Sequence, residues 1–173
     1  MSTSIVRLDQ AMNLKHLSEF CEVLRDAVEG GASVSFVAPL AVEVNRDFWL
    51  KVAGEVGAGT RIVVAALVDG VVVGCVHLVP AGTLNGQHRA EVQKVLVHRD
   101  FRRRGLAQAM MDAIENEARK IGRWLLVLDT EEGSMAEGMY EKLGYSRAGG
   151  VPEFALGSDG TYRANVYFFK RLP

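Results

Sequence analysis

The chain has 173 residues, 49% of them apolar and 24% charged, with four prolines and a net charge of −1. That length suits one domain burying roughly 70% of its unfolded surface, and the apolar content excludes a disordered chain. A near-neutral charge offers no broad field for nucleic acid or an anionic membrane, and no stretch approaches the ~20 apolar residues of a membrane span.

The first residues, Met1-Ser2-Thr3-Ser4-Ile5, carry neither a charged segment nor a long apolar run, so a cytoplasmic protein is expected. The two cysteines, Cys21 and Cys75, fall in a predicted helix and a predicted strand and read as core thiols of a reducing compartment.

In chain order, Ile5–Leu8 reads as a short strand. A helix follows, capped by Asp9 or Asn13, with Leu14, Leu17, Cys21, Leu24 and Val28 on one face and Gly30-Gly31 at its end. The segment Gly30 to Leu40 is apolar but glycine-bearing; it suits either a loop over a binding cleft or a connection packed on the core. A second helix spans about Val42 to Gly54, with Val44, Phe48 and Val52 on one face. Thr60–Leu67 and Val71–Val79 are β-rich runs joined at Asp69-Gly70, a strong hairpin signal. Their near-continuous Val and Ala content predicts strands covered on both faces.

After a loop over Gly82–Gln87, a strand is predicted at Arg89–Val97. A basic turn then leads to Gly105, which opens a helix with Leu106, Ala109, Met110, Ala113, Ile114, Ala118 and Ile121 at helical spacing; Gly122 is its natural end. Trp124–Leu128 reads as a buried-type strand running into Asp129-Thr130-Glu131-Glu132-Gly133. Ser134, with Glu137 three residues on, fits a capping box for a helix to about Lys142, ended at Gly144. Short β-like pieces at Tyr145–Ala148 and Ala164–Phe169 follow, with Gly149, Gly150, Gly157 and Gly160 breaking the region between. The order β α α β β β α β α β β predicts an α/β fold: a mixed sheet with helices on both faces.

The stretch Glu91 to Ile121 organises this plan. A strand, a basic glycine-bearing loop and a helix start form an arrangement suited to an anion. The first helical N–H groups lack partners within the helix, and the helix dipole adds partial positive charge there. Gly105 permits close approach of a phosphate, and Arg102, Arg103 and Arg104 add full charges. An ordinary helix start beside a solvated basic turn would look similar.

The spacing Arg102-x-x-Gly105-x-Ala107 resembles the pyrophosphate loop of GNAT-superfamily N-acetyltransferases. Tyr140-Glu141-Lys142-Leu143-Gly144-Tyr145 resembles the segment after that family's fifth strand. Glu91 lies 11 residues before Arg102, the offset at which some members carry a base glutamate. The element order agrees as well. Further stretches, GGASV near residue 30, HRAEVQK at 88–94 and LDTEEGSMAEGMY at 128–140, extend the resemblance over most of the chain, toward members that acetylate a small amino-acid toxin.

The resemblance implies a single acetyltransferase domain over residues 1–173, with acetyl-CoA as co-substrate and no metal. Val95, Val97, Arg102, Arg103, Arg104, Gly105, Leu106 and Ala107 would hold the CoA. Tyr140 would protonate the departing thiolate, and Glu91 or Asp129 would take the amine proton. An alkylamine has a pKa of ~10.4, so only about one molecule in a thousand is neutral near pH 7.4, and reaching that form costs about 4 kcal/mol; a carboxylate in reach can accept the proton. The expected acceptor is a small amine, an amino-acid-like metabolite or toxin, with a role in antibiotic or toxin resistance. The expected assembly is a monomer or homodimer without nucleic-acid or membrane partners. A peptide acetyltransferase and a non-catalytic CoA-binding module stay open. Asp129 could instead cap its turn, Glu91 could be a solvated strand-end charge, and Tyr140 could be a core tyrosine. His16, His77, His88 and His98 share no metal-ligand spacing, and His98 reads as a surface histidine.

Overall fold

The computed structural model describes residues 1–173 and contains one seven-stranded mixed sheet. The chain runs β1 (Thr3–Leu8), α1 (Gln10–Lys15), α2 (Leu17–Glu29), α3 (Val42–Gly57), β2 (Ile62–Val68), β3 (Val71–Pro80), β4 (Arg89–Val97), α4 (Leu106–Lys120), β5 (Leu125–Glu131), α5 (Met135–Lys142), β6 (Ser146–Leu156) and β7 (Tyr162–Arg171). Short 3₁₀ turns occupy Leu84–Gly86 and Arg99–Phe101. In space the strands lie in the order β1-β2-β3-β4-β5-β7-β6.

The hairpin predicted at Asp69-Gly70 forms, with both residues at positive φ (49° and 83°), the backbone of a type I′ turn. All seven residues of β2 are buried. Ile62, Val64, Ala66 and Val68 face one core, with Met110, Met111 and Ile114 of α4; Val63, Ala65 and Leu67 face the other, with Phe20, Leu24 and Trp49 of α2 and α3. Helices thus cover both faces.

Several boundaries differ from the reading of the sequence. The first helix is two helices that meet at His16. Asp9 caps α1, accepting the Met12 N–H at 2.8 Å, while Asn13 is buried inside it. The break turns α2, so its buried face is Phe20, Val23, Leu24, Ala27 and Val28, and Leu14 is exposed. In α3 the buried face is Asn45, Trp49, Val52 and Ala53, leaving Val44 exposed. On α4, Met111, Glu115 and Glu117 are also buried, while Ile121 is exposed. Lys170 pairs with Glu115 at 2.8 Å, and Arg7 and Lys120 pair with Glu117 at 2.7 and 2.6 Å, so each buried carboxylate has a cationic partner. Strand β5 continues past Leu128 through Asp129 to Glu131, burying Leu126 and Leu128 on one side. The Ser134 capping box does not form: Glu137 accepts the Gly133 N–H at 2.7 Å, and the Ser134 hydroxyl lies 3.2 Å from that of Thr130. The glycine-broken C-terminal pieces are one long hairpin, in which β6 runs through Gly149 and Gly150 with irregular register.

No helix is long and apolar enough to cross a membrane. Cys75 is fully buried and Cys21 half-buried, both as free thiols; burial pushes Cys75 up to about 12.

Candidate active site

The sheet has one parallel seam, between β4 and β5. It is short: Arg89, Ala90 and Glu91 pair with Leu125, Leu126 and Val127, and then the strands part. Beyond that point β4 stays paired only to β3, and β5 only to β7. The gap is a cleft of about 740 Å³, bounded by β4, β5, the N-terminus of α4, α5 and residues 30–35. Each strand presents to this space an edge that no neighbouring strand pairs with.

Ten of the eleven residues singled out from the sequence line this cleft: Glu91, Val95, Val97, Arg102, Arg103, Gly105, Leu106, Ala107, Asp129 and Tyr140. Arg104 does not. Its guanidinium lies 5.1 Å from the Phe101 ring centroid and donates to the Asp100 carbonyl at 3.0 Å.

At the basic end, Gly105 is the N-cap of α4 with φ +76°, and an added Cβ would meet no atom within 4 Å. The glycine therefore serves backbone conformation and open approach rather than packing. The first helical bond runs from the Ala109 N–H to the Gly105 carbonyl at 3.0 Å, so the N–H groups of Leu106, Ala107 and Gln108 have no helical acceptor. Arg103, at φ +62°, is exposed. Arg102 donates through Nε to the Val97 carbonyl at 2.9 Å and sits 3.5 Å from Asp26.

Asp26, buried at the end of α2, carries no sequence signal, yet it fastens this loop. It accepts the Arg99 backbone N–H at 2.9 Å and the Arg99 Nε. Burial by itself would raise the Asp26 carboxyl; the Arg99 hydrogen bonds, with the His98 and Arg99 charges, outweigh it and hold the group below the usual carboxylate value. His98 is half-buried rather than at the surface, 3.6 Å from Glu22 and 3.8 Å from Asp26.

At the other end stand the three polar candidates. Glu91 is half-buried at the point where the strands separate, and its Oε1 accepts from Gln93 Nε2 at 2.9 Å. Gln93 is in turn held by Arg61 at 3.1 Å, and Arg61 by Glu55 at 2.5 Å. Asp129 is exposed on β5 and accepts a hydrogen bond from Asn165 of β7. Tyr140 is buried against Tyr145 and Phe168. Burial, reinforced by the Asp129 charge, raises its phenol well above the ordinary value. Gln93, Asn165, Arg61 and Asp26 were not visible as site residues, because each acts through a contact made only by the fold.

Residues 30–40 combine the two roles that the sequence allowed. Gly30–Ser35 line the cleft, while Phe36, Ala38 and Leu40 pack against the α2–α3 core. The Ala38 N–H donates to the Ser158 hydroxyl at 2.9 Å, joining this segment to the β6–β7 turn. No group of three or more His, Cys, Asp or Glu side chains is gathered as for a metal.

Comparison with known proteins agrees with this geometry. The acetyltransferase (GNAT) family model matches residues 32–145. An uncharacterized N-acetyltransferase of Azospirillum brasilense, from the hisH–hisA intergenic region, is 33% identical over 131 residues, covering 75% of this chain and 76% of that one. Among solved structures, an N-acetyltransferase of Staphylococcus aureus Mu50 superposes with a TM-score of 0.83 at 15% identity over 100% of both chains. YncA of Salmonella typhimurium, solved with its cofactor acetyl-CoA, superposes with a TM-score of 0.80 at 18% identity over 100% of this chain and 95% of that one. With its split parallel seam, its glycine-opened helix and a family match across two thirds of its length, the chain belongs to the GNAT family of acetyltransferases.

Proposed function

We propose that residues 1–173 form a single catalytic domain that moves the acetyl group of acetyl-CoA directly to the primary amine of a small, amino-acid-like metabolite or toxin. The observation that carries this reading is the parting of β4 and β5 at Glu91 and Val127. It creates one continuous space with an anion-binding helix start at one end and two carboxylates and a tyrosine at the other.

The pyrophosphate of acetyl-CoA suits the free N–H groups at Leu106, Ala107 and Gln108, with Arg102 and Arg103 beside them. The peptide-like amides of the pantetheine arm suit the open β4 edge near Val95 and Val97, as an added strand would. The acetyl thioester then lies toward Glu91, Asp129 and Tyr140. A carboxylate removes one proton from the bound ammonium, the neutral amine attacks the thioester carbonyl, the C–S bond breaks to release CoA as a thiolate, and the acylated nitrogen gives up its second proton to solvent as the neutral amide forms. Tyr140 is the proposed donor to that thiolate. Its raised pKa keeps the phenol protonated near neutrality. Transfer from a phenol of pKa ~10 to an ordinary thiolate of pKa ~8.5 is already uphill and the shift adds to this, so close contact with a buried thiolate is required.

The small-acceptor reading rests on chemistry and on resemblance. Residues 30–35 line the cleft and are tied to the β6–β7 turn through Ser158, and Asp129 and Glu131 offer partners for an ammonium. The GGASV, HRAEVQK and LDTEEGSMAEGMY stretches are similar to the tabtoxin resistance protein. The test is competition at equal concentration, read by thiol release from acetyl-CoA: small amino acids and β-lactam analogues should outrun lysine-containing peptides, and a clear preference for peptides would overturn the reading.

A further inference from the structure

Lys94 lies in the middle of the β4 wall, where the register with β3 slips between Cys75 and His77. Its backbone has φ +53° and its side chain lines the cleft. Nζ donates to the Ser35 hydroxyl at 3.2 Å and sits 5.8 Å from the Phe48 ring centroid. The nearby carboxylates have other partners: Glu91 is bonded to Gln93, Asp129 to Asn165 and Glu55 to Arg61. The ammonium is thus half-buried in the cleft without an ion pair. Burial, and then the Arg61 charge, lower its pKa, opposed in part by Asp129 and Glu91.

The backbone marks the same place. Five non-glycine residues have positive φ: Ser35, Asp69, Lys94, Arg103 and Glu153. Ser35, Lys94 and Arg103 all line this cleft, and the first two meet in one hydrogen bond. Left-handed backbone at non-glycine residues costs energy, and its gathering at one cavity points to a ligand-binding role. A half-buried cation whose direct contacts are one hydroxyl and one ring leaves room for an anion as its partner.

We infer that Lys94 is the acceptor-binding residue that selects amines also bearing a carboxylate: its ammonium pairs with that carboxylate, the Ser35 hydroxyl adds a hydrogen bond, and the amine lies toward Glu91 and Asp129. This rests on the small-acceptor reading above and narrows it to zwitterionic, amino-acid-type molecules.

The test uses the full chain with acetyl-CoA and matched acceptors: free amino acids, their carboxamides and their decarboxylated amines, followed by thiol release. The wild type should favour acids over amides by ~10–150-fold in kcat/KM, the size of one charge-assisted hydrogen bond. Lys94→Met should bring that ratio close to one, mainly through KM for acids, with turnover of decarboxylated amines and acetyl-CoA affinity by calorimetry little changed. Lys94→Arg should restore much of the preference, and Ser35→Ala should keep most of it. Equal use of acids and amides by the wild type overturns the inference while leaving the small-acceptor reading intact. So does a Lys94→Met variant that slows all three acceptor types alike and is copied by Ser35→Ala, since Lys94 would then only tether residues 30–40. A Lys94→Met loss of acetyl-CoA affinity with the acid preference retained moves Lys94 to the CoA side and overturns it too. Turnover confined to lysine peptides overturns the small-acceptor reading itself.

Discussion

Strand β4 reaches the cleft from a crowded half of the sheet, and β5 reaches it from an open one. On the β4 side, β2 is buried along its whole length and α2, α3 and α4 cover both faces. On the β5 side, ten of the eleven residues of β6 are exposed, among them Val151, Phe154 and Leu156. The candidate carboxylates follow this division: Glu91 is held by a chain of Gln93, Arg61 and Glu55, whereas exposed Asp129 has one amide partner, Asn165. A pyrophosphate presents the same shape every time and suits a rigid wall. Acceptors differ between enzymes of one fold, and a lightly packed wall tolerates variation.

The largest effects should come from the reacting end. Replacing the true base by its amide should cost ~10²–10⁴-fold in rate and steepen the dependence on amine ionisation. Glu91→Gln and Asp129→Asn separate the two walls, and a parent-like pH–rate profile in both variants would remove both carboxylates from the role. Tyr140→Phe retains the ring that packs on Phe168 and loses the hydroxyl. Turnover should fall within the same range while acetyl-CoA affinity stays nearly intact, and wild-type turnover would leave Tyr140 as packing.

Next comes the rigid wall itself. Gly105→Glu places negative charge and a strained backbone at the helix start. Loss of charge-assisted hydrogen bonds there should weaken acetyl-CoA by about 10–150-fold. Unchanged calorimetric affinity in a folded variant would refute the anion site.

The smallest effect expected is on stability. Asp26→Asn keeps the shape of the residue and removes the charge under Arg99 and Arg102, at a cost of roughly 1–3 kcal/mol. For a chain of this size that lowers Tm by about 2–4 °C per kcal/mol. The pH dependence has a definite sign. Because the folded Asp26 lies below the usual carboxylate pKa, its contribution is complete above the unfolded value of ~3.9 and is lost as pH falls through the folded value. Acid unfolding of Asp26→Asn should lack this component; identical acid profiles would show that Asp26 adds nothing through its charge.

Local chemistry made some of this readable in advance. Asp69-Gly70 dictates its own turn, and Gly105 between an arginine run and an apolar helix marks the start of α4. Other features depend on partners far along the chain. Asp129 meets Asn165 across 36 residues, and Asp26 meets Arg99 across 73. Gly149 and Gly150 suggested a break, but β7 supplies the ladder that keeps β6 extended. The parting of β4 from β5 has no local signal, because each strand is a normal strand toward its other neighbour. Nothing local distinguishes Lys94 within its strand; the slipped register with β3 places it in the cleft.

The short parallel seam makes cohesion of the two halves depend on what lies between them. Three residue pairs, the shared core around Met110, Leu126 and Phe168, the Lys170–Glu115 ion pair and the Ala38–Ser158 hydrogen bond join them. A molecule that bonds to both open edges acts as an eighth strand, and binding to the folded state alone adds RT ln(1 + [L]/Kd), about 2.7 kcal/mol at a hundredfold excess over Kd. Acetyl-CoA bound along the β4 edge, as proposed above, would therefore add to resistance to heat and proteolysis as well as support turnover.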